Sequence, residues 1–125
     1  MNNEKILDIY AAMPYSKNML YDFVELSPFA EVRDTLFSEE EFRALQIFLC
    51  EQPDAGDVIP GSSGCRKLRW VSKGKGKRGG ARVIYFLRLA SGQVIFVTAY
   101  GKNVLDDIPR GWLRKIKEAY DNEIS

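Results

Sequence analysis

Two apolar runs, Arg82 to Arg88 (RVIYFLR) and Gln93 to Tyr100 (QVIFVTAY), constrain this chain more than any other feature. Each is long enough, and apolar enough without a break, for a buried central strand. Ala90-Ser91-Gly92 between them suits a hairpin turn. The rest of the sequence is expected to supply the neighbours of that hairpin.

Upstream, Leu20 to Leu26 (LYDFVEL) is rich in strand formers and reads as a first strand. Ser27-Pro28 breaks it, and Pro28 suits the first turn of a short helix. Ser38 and Glu41 have capping-box spacing, which satisfies two orphan backbone donors at a helix start. Phe42, Leu45 and Phe48 or Leu49 then supply one apolar face, so a helix is expected over about 38–51, ended by Pro53. Residues 54–64 (DAGDVIPGSSG) read as a loop. Cys65 to Val71 alternates, with Arg66, Leu68 and Trp70 on one side and Lys67, Arg69 and Val71 on the other. The stretch 72–80 (SKGKGKRGG) is no packed strand; its glycines permit tight bends and close backbone approach to a ligand. Asp106 and Asp107 suit the positive end of a last helix, with Pro109 near its first turn and Ile108, Trp112, Ile116 and Tyr120 towards the sheet.

The expected order is strand, helix, three strands and a terminal helix. The expected fold is therefore α+β, a small, mainly antiparallel sheet with helices packed on it. At 125 residues the chain is the size of one domain and can bury roughly two-thirds of its unfolded surface. Residues 19–125 form that domain. Residues 1–18 read as an N-terminal extension, with Ile6, Tyr10 and Met13 at helical spacing and Pro14 as a stop. No apolar run approaches the ~18 residues of a membrane span. Glu4 and Asp8, with no apolar signal core, argue for a cytoplasmic protein with no membrane partner. Cys50 and Cys65 make no disulfide framework and read as buried thiols.

The net charge of +1 hides an asymmetry. Eight of the 18 basic residues lie between Arg66 and Arg82, and no acid interrupts them. Such local concentration matters more for polyanion binding than the total. The chain has no histidine, which removes the commonest general base and metal ligand. A Ser-His-Asp or Cys-His site is excluded, and neither a metal nor any other cofactor is expected.

The run GDVIPGSSGCRKLRW, then SKGKGKRGGARVIYF, then TAYGKNVLDD resembles the HigB branch of the RelE/ParE toxin superfamily. The blocks stand in the family's order, and the likeness extends from about Phe23 to Asn122. The resemblance implies a ribosome-dependent mRNA endoribonuclease, the toxin of a type II toxin–antitoxin system that inhibits translation. It also implies three partners: ribosome, mRNA, and a cognate antitoxin expected to be a helix-turn-helix DNA-binding protein.

RNA cuts itself when a 2′-hydroxyl attacks the adjacent phosphate. An enzyme speeds this by moving two protons and stabilising the phosphorane-like charge, which Arg and Lys can do without metal. By resemblance, Lys67 and Arg69 take the family's two basic strand positions for proton transfer and phosphate contact. Arg69 stays protonated, so charge stabilisation suits it better. Arg82 matches the family's contact to the scissile phosphate. Asn103 stands where some members carry a transition-state Arg; either Lys102 replaces it as the catalytic candidate or Arg82 acts alone, with Asn103 as an RNA contact. Tyr100 is the candidate for base stacking in place of a family Tyr that has no clear counterpart, against a core role. Lys73, Lys75, Lys77 and Arg78, spaced by glycines and fixed by no rigid element, are expected to contact RNA phosphates. Two rival readings stand beside this one: a ParE-like inhibitor of DNA gyrase, and a nucleic-acid-binding module without catalysis.

Overall fold

The structure, a computed structural model, describes residues 21–76, 79–102 and 108–124. Eight elements follow in order: β1 (Asp22–Glu25), α1 (Ser27–Leu36), α2 (Glu39–Glu51), β2 (Asp57–Val58), β3 (Arg66–Trp70), β4 (Ala81–Arg88), β5 (Gln93–Gly101) and α3 (Arg110–Ile124). They make an α+β domain around one five-stranded sheet of order β1-β5-β4-β3-β2. The expected hairpin of β4 and β5 is its centre. A single 3-10 turn, Leu89–Ser91, closes it, and Gly92 takes the left-handed φ of 67° that ends the turn.

Three of the four pairings are antiparallel; β1 runs parallel to β5, from Asp22 opposite Gln93 to Glu25 opposite Phe96. The sheet is thus mixed. A parallel pair needs a crossover, and α1 and α2 begin one that continues through β2, β3 and β4.

Helices cover both faces. On one, Phe29 and Phe37 from α1 and its C-cap, with Leu45 and Leu49 from α2, pack on Trp70, Val83, Tyr85, Val94 and Phe96. Phe29 stacks on Phe96 with centroids 4.6 Å apart, and Phe23 stacks on Phe96 at 5.8 Å. On the other face, Leu113 of α3 packs with Cys65, Ile84, Phe86, Ile95 and Val97. Burial from two sides is why β4 and β5 read as continuous apolar runs rather than alternating ones. Between Ile84 and Tyr85 the partner on β5 jumps from Thr98 to Phe96, a β-bulge that leaves Val97 unpaired.

The capping box is present in full: Ser38 Oγ accepts from the Glu41 N–H at 3.1 Å, and Glu41 Oε1 accepts from the Ser38 N–H at 3.0 Å. Pro28 sits in the first turn of α1, and Cys50 and Cys65 are free and buried. Burial pushes the Cys65 thiol above its ordinary pKa, against a weaker opposite pull from Ser62, which keeps it an unreactive thiol.

Three expectations need correction. The loop at 54–64 contains a short strand, β2, paired with β3. The short helix that Pro28 opens is a full element of 10 residues, so two helices rather than one follow β1. Trp112 does not face the sheet: it is 39% exposed, and Leu113 is the residue buried there, with Ile108, Ile116 and Tyr120 packed beside it. The expected N-terminal extension, 1–18, and the Asp106-Asp107 pair lie outside the described residues.

Candidate nucleic-acid interface

Strand β3 alternates, so Lys67 and Arg69 share one face while Leu68 and Trp70 share the other. The β3–β4 register sets Lys67 opposite Ile84 and Arg69 opposite Arg82; the β4–β5 register sets Arg82 opposite Tyr100. Arg69, Arg82 and Tyr100 therefore form one row across three strands, with Lys67 and Thr98 in the next row. Directly opposed Cβ atoms lie about 4.5–5.5 Å apart. The row belongs to the α3 face, since Ile84, Phe86 and Tyr100 pack in the α3 cluster.

Burial grades across the row. Lys67 and Arg69 are exposed, Arg82 is half-buried, and Tyr100 is 8% exposed. Like charges directly opposite one another destabilise a sheet, yet Arg69 faces Arg82 with no ion pair to a described carboxylate for either. The Nη1 of Arg82 is buried and has no hydrogen-bond partner. A guanidinium nitrogen buried without a partner costs stability unless water or a ligand satisfies it. Tyr100, packed in the core cluster, forms a wall of this row rather than a projecting platform.

The basic loop starts as a tight turn, which corrects, for Lys73 and Lys75, the expectation that no rigid element fixes them. Ser72 and Lys75 exchange backbone hydrogen bonds, Lys75 N–H to Ser72 C=O at 3.0 Å and the reverse at 3.3 Å. Lys73 and Gly74 carry the positive φ values, 50° and 83°, of a type I′ turn. Glu41 holds this turn from outside: its Oε1 accepts from the Lys73 N–H and its Oε2 from the Gly74 N–H, both at 2.8 Å. Ser72 Oγ donates to the Leu36 carbonyl, and Trp70 Nε1 donates to the Glu41 carbonyl at 2.9 Å. Burial pushes the Glu41 carboxyl up, but the backbone donors from Ser38, Gly74 and Lys73 outweigh it and hold the pKa below its ordinary value.

Lys102 stands just past β5, its N–H donating to the Gly80 carbonyl at 3.1 Å, and it lies beside Lys73 and Lys75 around a shared hollow. Lys77, Arg78 and Asn103 lie outside the described residues. Arg66, one of the eight clustered cations, serves the fold instead, because its Nη1 donates to the carbonyls of Asp54 at 3.0 Å and Gly56 at 2.8 Å.

Two residues of this region escape a reading of the sequence. Thr98 enters the Lys67 row because the bulge turns it to that face, and nothing in the sequence marks the bulge. Glu41 has a second role beyond its cap; the Ser38 spacing announces the first and not the other. Among the described residues no three His, Cys, Asp or Glu side chains gather to hold a metal, and no helix is long and apolar enough to cross a membrane. No protein-family model matches the chain.

Proposed function

We propose that this chain is a toxin of the RelE/HigB type, a cytoplasmic endoribonuclease that cleaves mRNA on the ribosome, inhibits translation and is silenced by a cognate antitoxin. One observation carries the reading: Arg69 and Arg82 oppose each other on adjacent strands with no described carboxylate between them, and Arg82 keeps a buried nitrogen unpaired. A polyanion at this row would relieve the like-charge cost. A phosphate between the two guanidinium groups accepts hydrogen bonds from each, and an incipient dianionic phosphorane accepts them more strongly.

In the reaction the 2′-O–P bond forms as the P–O5′ bond breaks. The 2′-hydroxyl loses a proton and the leaving O5′ gains one. Arg69 and Arg82 stay charged throughout and serve the phosphate. Lys67, exposed beside the row, is the side chain assigned to the leaving oxygen.

The test is a translation reaction with purified protein, followed by mapping of mRNA 5′ ends. Discrete cuts within translated codons support the proposal. Intact mRNA with gyrase-dependent DNA breaks selects the gyrase inhibitor; binding without either selects a non-catalytic module.

A further inference from the structure

The hollow shared by Lys73, Lys75 and Lys102 has a volume of about 270 Å³, and Gly79, Gly80 and Gly101 also line it. No carboxylate is among its described lining residues. A hollow of similar size between α1 and α2 differs in this respect, with Arg33 and Arg43 set among Asp34 and Glu39. Among its described lining residues, the first hollow thus has three cations and no carboxylate.

The glycines around it answer to different demands. Gly80 is required by packing, since a Cβ there would meet the Trp70 carbonyl oxygen at 2.2 Å. Gly74 is required by its φ of +83°. Gly76 and Gly79 have neither reason: their φ values are not positive, and a Cβ at either meets nothing within 4 Å. Their bare backbone stands in open space, and Gly79 lines the hollow with the three lysines, a surface that something outside the chain can approach closely.

We propose that this hollow is a second phosphate-binding site, in which Lys73, Lys75 and Lys102 hold a backbone phosphate of RNA on the α1 side of the sheet. Arg82 lies on the α3 side, and consecutive strand residues point to opposite faces, so the two phosphate sites straddle the end of the β4–β5 hairpin. An RNA strand crossing that end meets both. Glu41 is the positioning residue of the second site: by holding the Lys73 and Gly74 amides it fixes the turn from which Lys73 and Lys75 project. The inference rests on the proposed function in taking RNA as the ligand, while the anion site itself does not depend on cleavage.

The test uses the full chain and a 2′-O-methyl RNA oligonucleotide, which cannot be cleaved, with affinity measured by fluorescence anisotropy across a salt series. The triple variant Lys73→Gln, Lys75→Gln, Lys102→Gln is expected to lower the slope of log affinity against log salt by about 2, at about 0.7 per lost contact on a single strand. Gly79→Val, which adds bulk without a forbidden φ, is expected to weaken binding several-fold with unchanged melting. Tripolyphosphate titrated into the protein should shift the amide resonances of Gly79, Gly80 and Gly101 equally in wild type and in Arg82→Ala. An unchanged slope in the triple variant, or shifts absent from these three amides, overturns the site. Tighter binding to duplex DNA, with the same change of slope, overturns RNA as its occupant. A lowered slope in a protein that cuts no mRNA keeps the site and removes the nuclease.

Discussion

Arg82 costs the fold something at the scale of a single residue. Its Nη1 is buried without a partner, and its Cα partner on β3 is another arginine. Among the described residues, the other buried side-chain polar atom left in this state is Glu25 Oε1, and the second oxygen of that carboxylate is paired to Arg33 at 2.8 Å. Arg82 has no such ion pair among the described residues. Arg82→Met, which keeps the length of the stem, is therefore expected to leave thermal stability equal to wild type or raise it by about 1 kcal/mol, the scale of one unsatisfied donor. Arg82→Ala is expected to keep the fold and to lower ribosome-dependent cleavage by about two to three orders of magnitude, as for the loss of one preorganised donor to a developing anion. Single-turnover mRNA cleavage beside a melting curve separates the two effects. Wild-type cleavage by either folded variant would remove Arg82 from the site.

Among the elements, legibility in the sequence follows locality. The capping box of α2 needs only two residues three apart, and it stands as expected. The central hairpin needs two apolar runs and a glycine, and it too stands. The parallel pairing of β1 with β5 joins residues about 70 apart, and no local pattern encodes it. Strand β2 has two residues, both exposed, too few to show a period. The last helix differs from expectation by one position, because the bulk of Trp112 suggests an anchor where the burial falls on Leu113. Leu113→Ala is thus expected to destabilise by about 2–5 kcal/mol, and Trp112→Ala by far less, as read by urea unfolding. The second role of Glu41 is hidden for the same reason of distance: its partners Lys73 and Gly74 lie 32 and 33 residues away. Glu41→Gln keeps the shape but removes the charge and replaces one accepting oxygen with an NH2 donor, so at least one of the three backbone hydrogen bonds is lost; it should cost about 1–3 kcal/mol in this partly exposed setting. The folded carboxyl has a lowered pKa, so its contribution is present above the ordinary carboxylate range and fades as pH falls through the folded value. The melting difference between wild type and Glu41→Gln should be constant near neutrality and shrink below about pH 4. A difference that grows on acidification would contradict the assigned hydrogen bonds.

At the scale of the whole molecule, charge is sorted rather than summed. A net charge of +1 coexists with a basic end of the sheet, where β3, the tight turn and the end of β5 meet. The chemistry proposed for that end follows from the types of its described residues. Arginine and lysine stabilise a phosphorane and help move protons, but they do not hold a metal-bound water in line with a phosphorus atom. Hydrolysis by such a water breaks the P–O3′ bond and leaves a 5′-phosphate. Attack by the RNA's own 2′-hydroxyl breaks P–O5′ and leaves a 2′,3′-cyclic phosphate, or its 3′-phosphate hydrolysis product, with a 5′-hydroxyl. The arrangement of Lys67, Arg69 and Arg82 favours the second course. Fragments released from ribosome-bound mRNA are therefore expected to accept label from polynucleotide kinase without prior phosphatase treatment. Their upstream partners should resist 3′ ligation until the terminal phosphate is removed. The readout survives the ribosome's own requirement for magnesium, because it inspects the bond that broke rather than the ions present. Fragments that bear 5′-phosphates would mean that the attacking oxygen came from water, and the Lys67–Arg69–Arg82 face would then be a binding surface for RNA cut elsewhere.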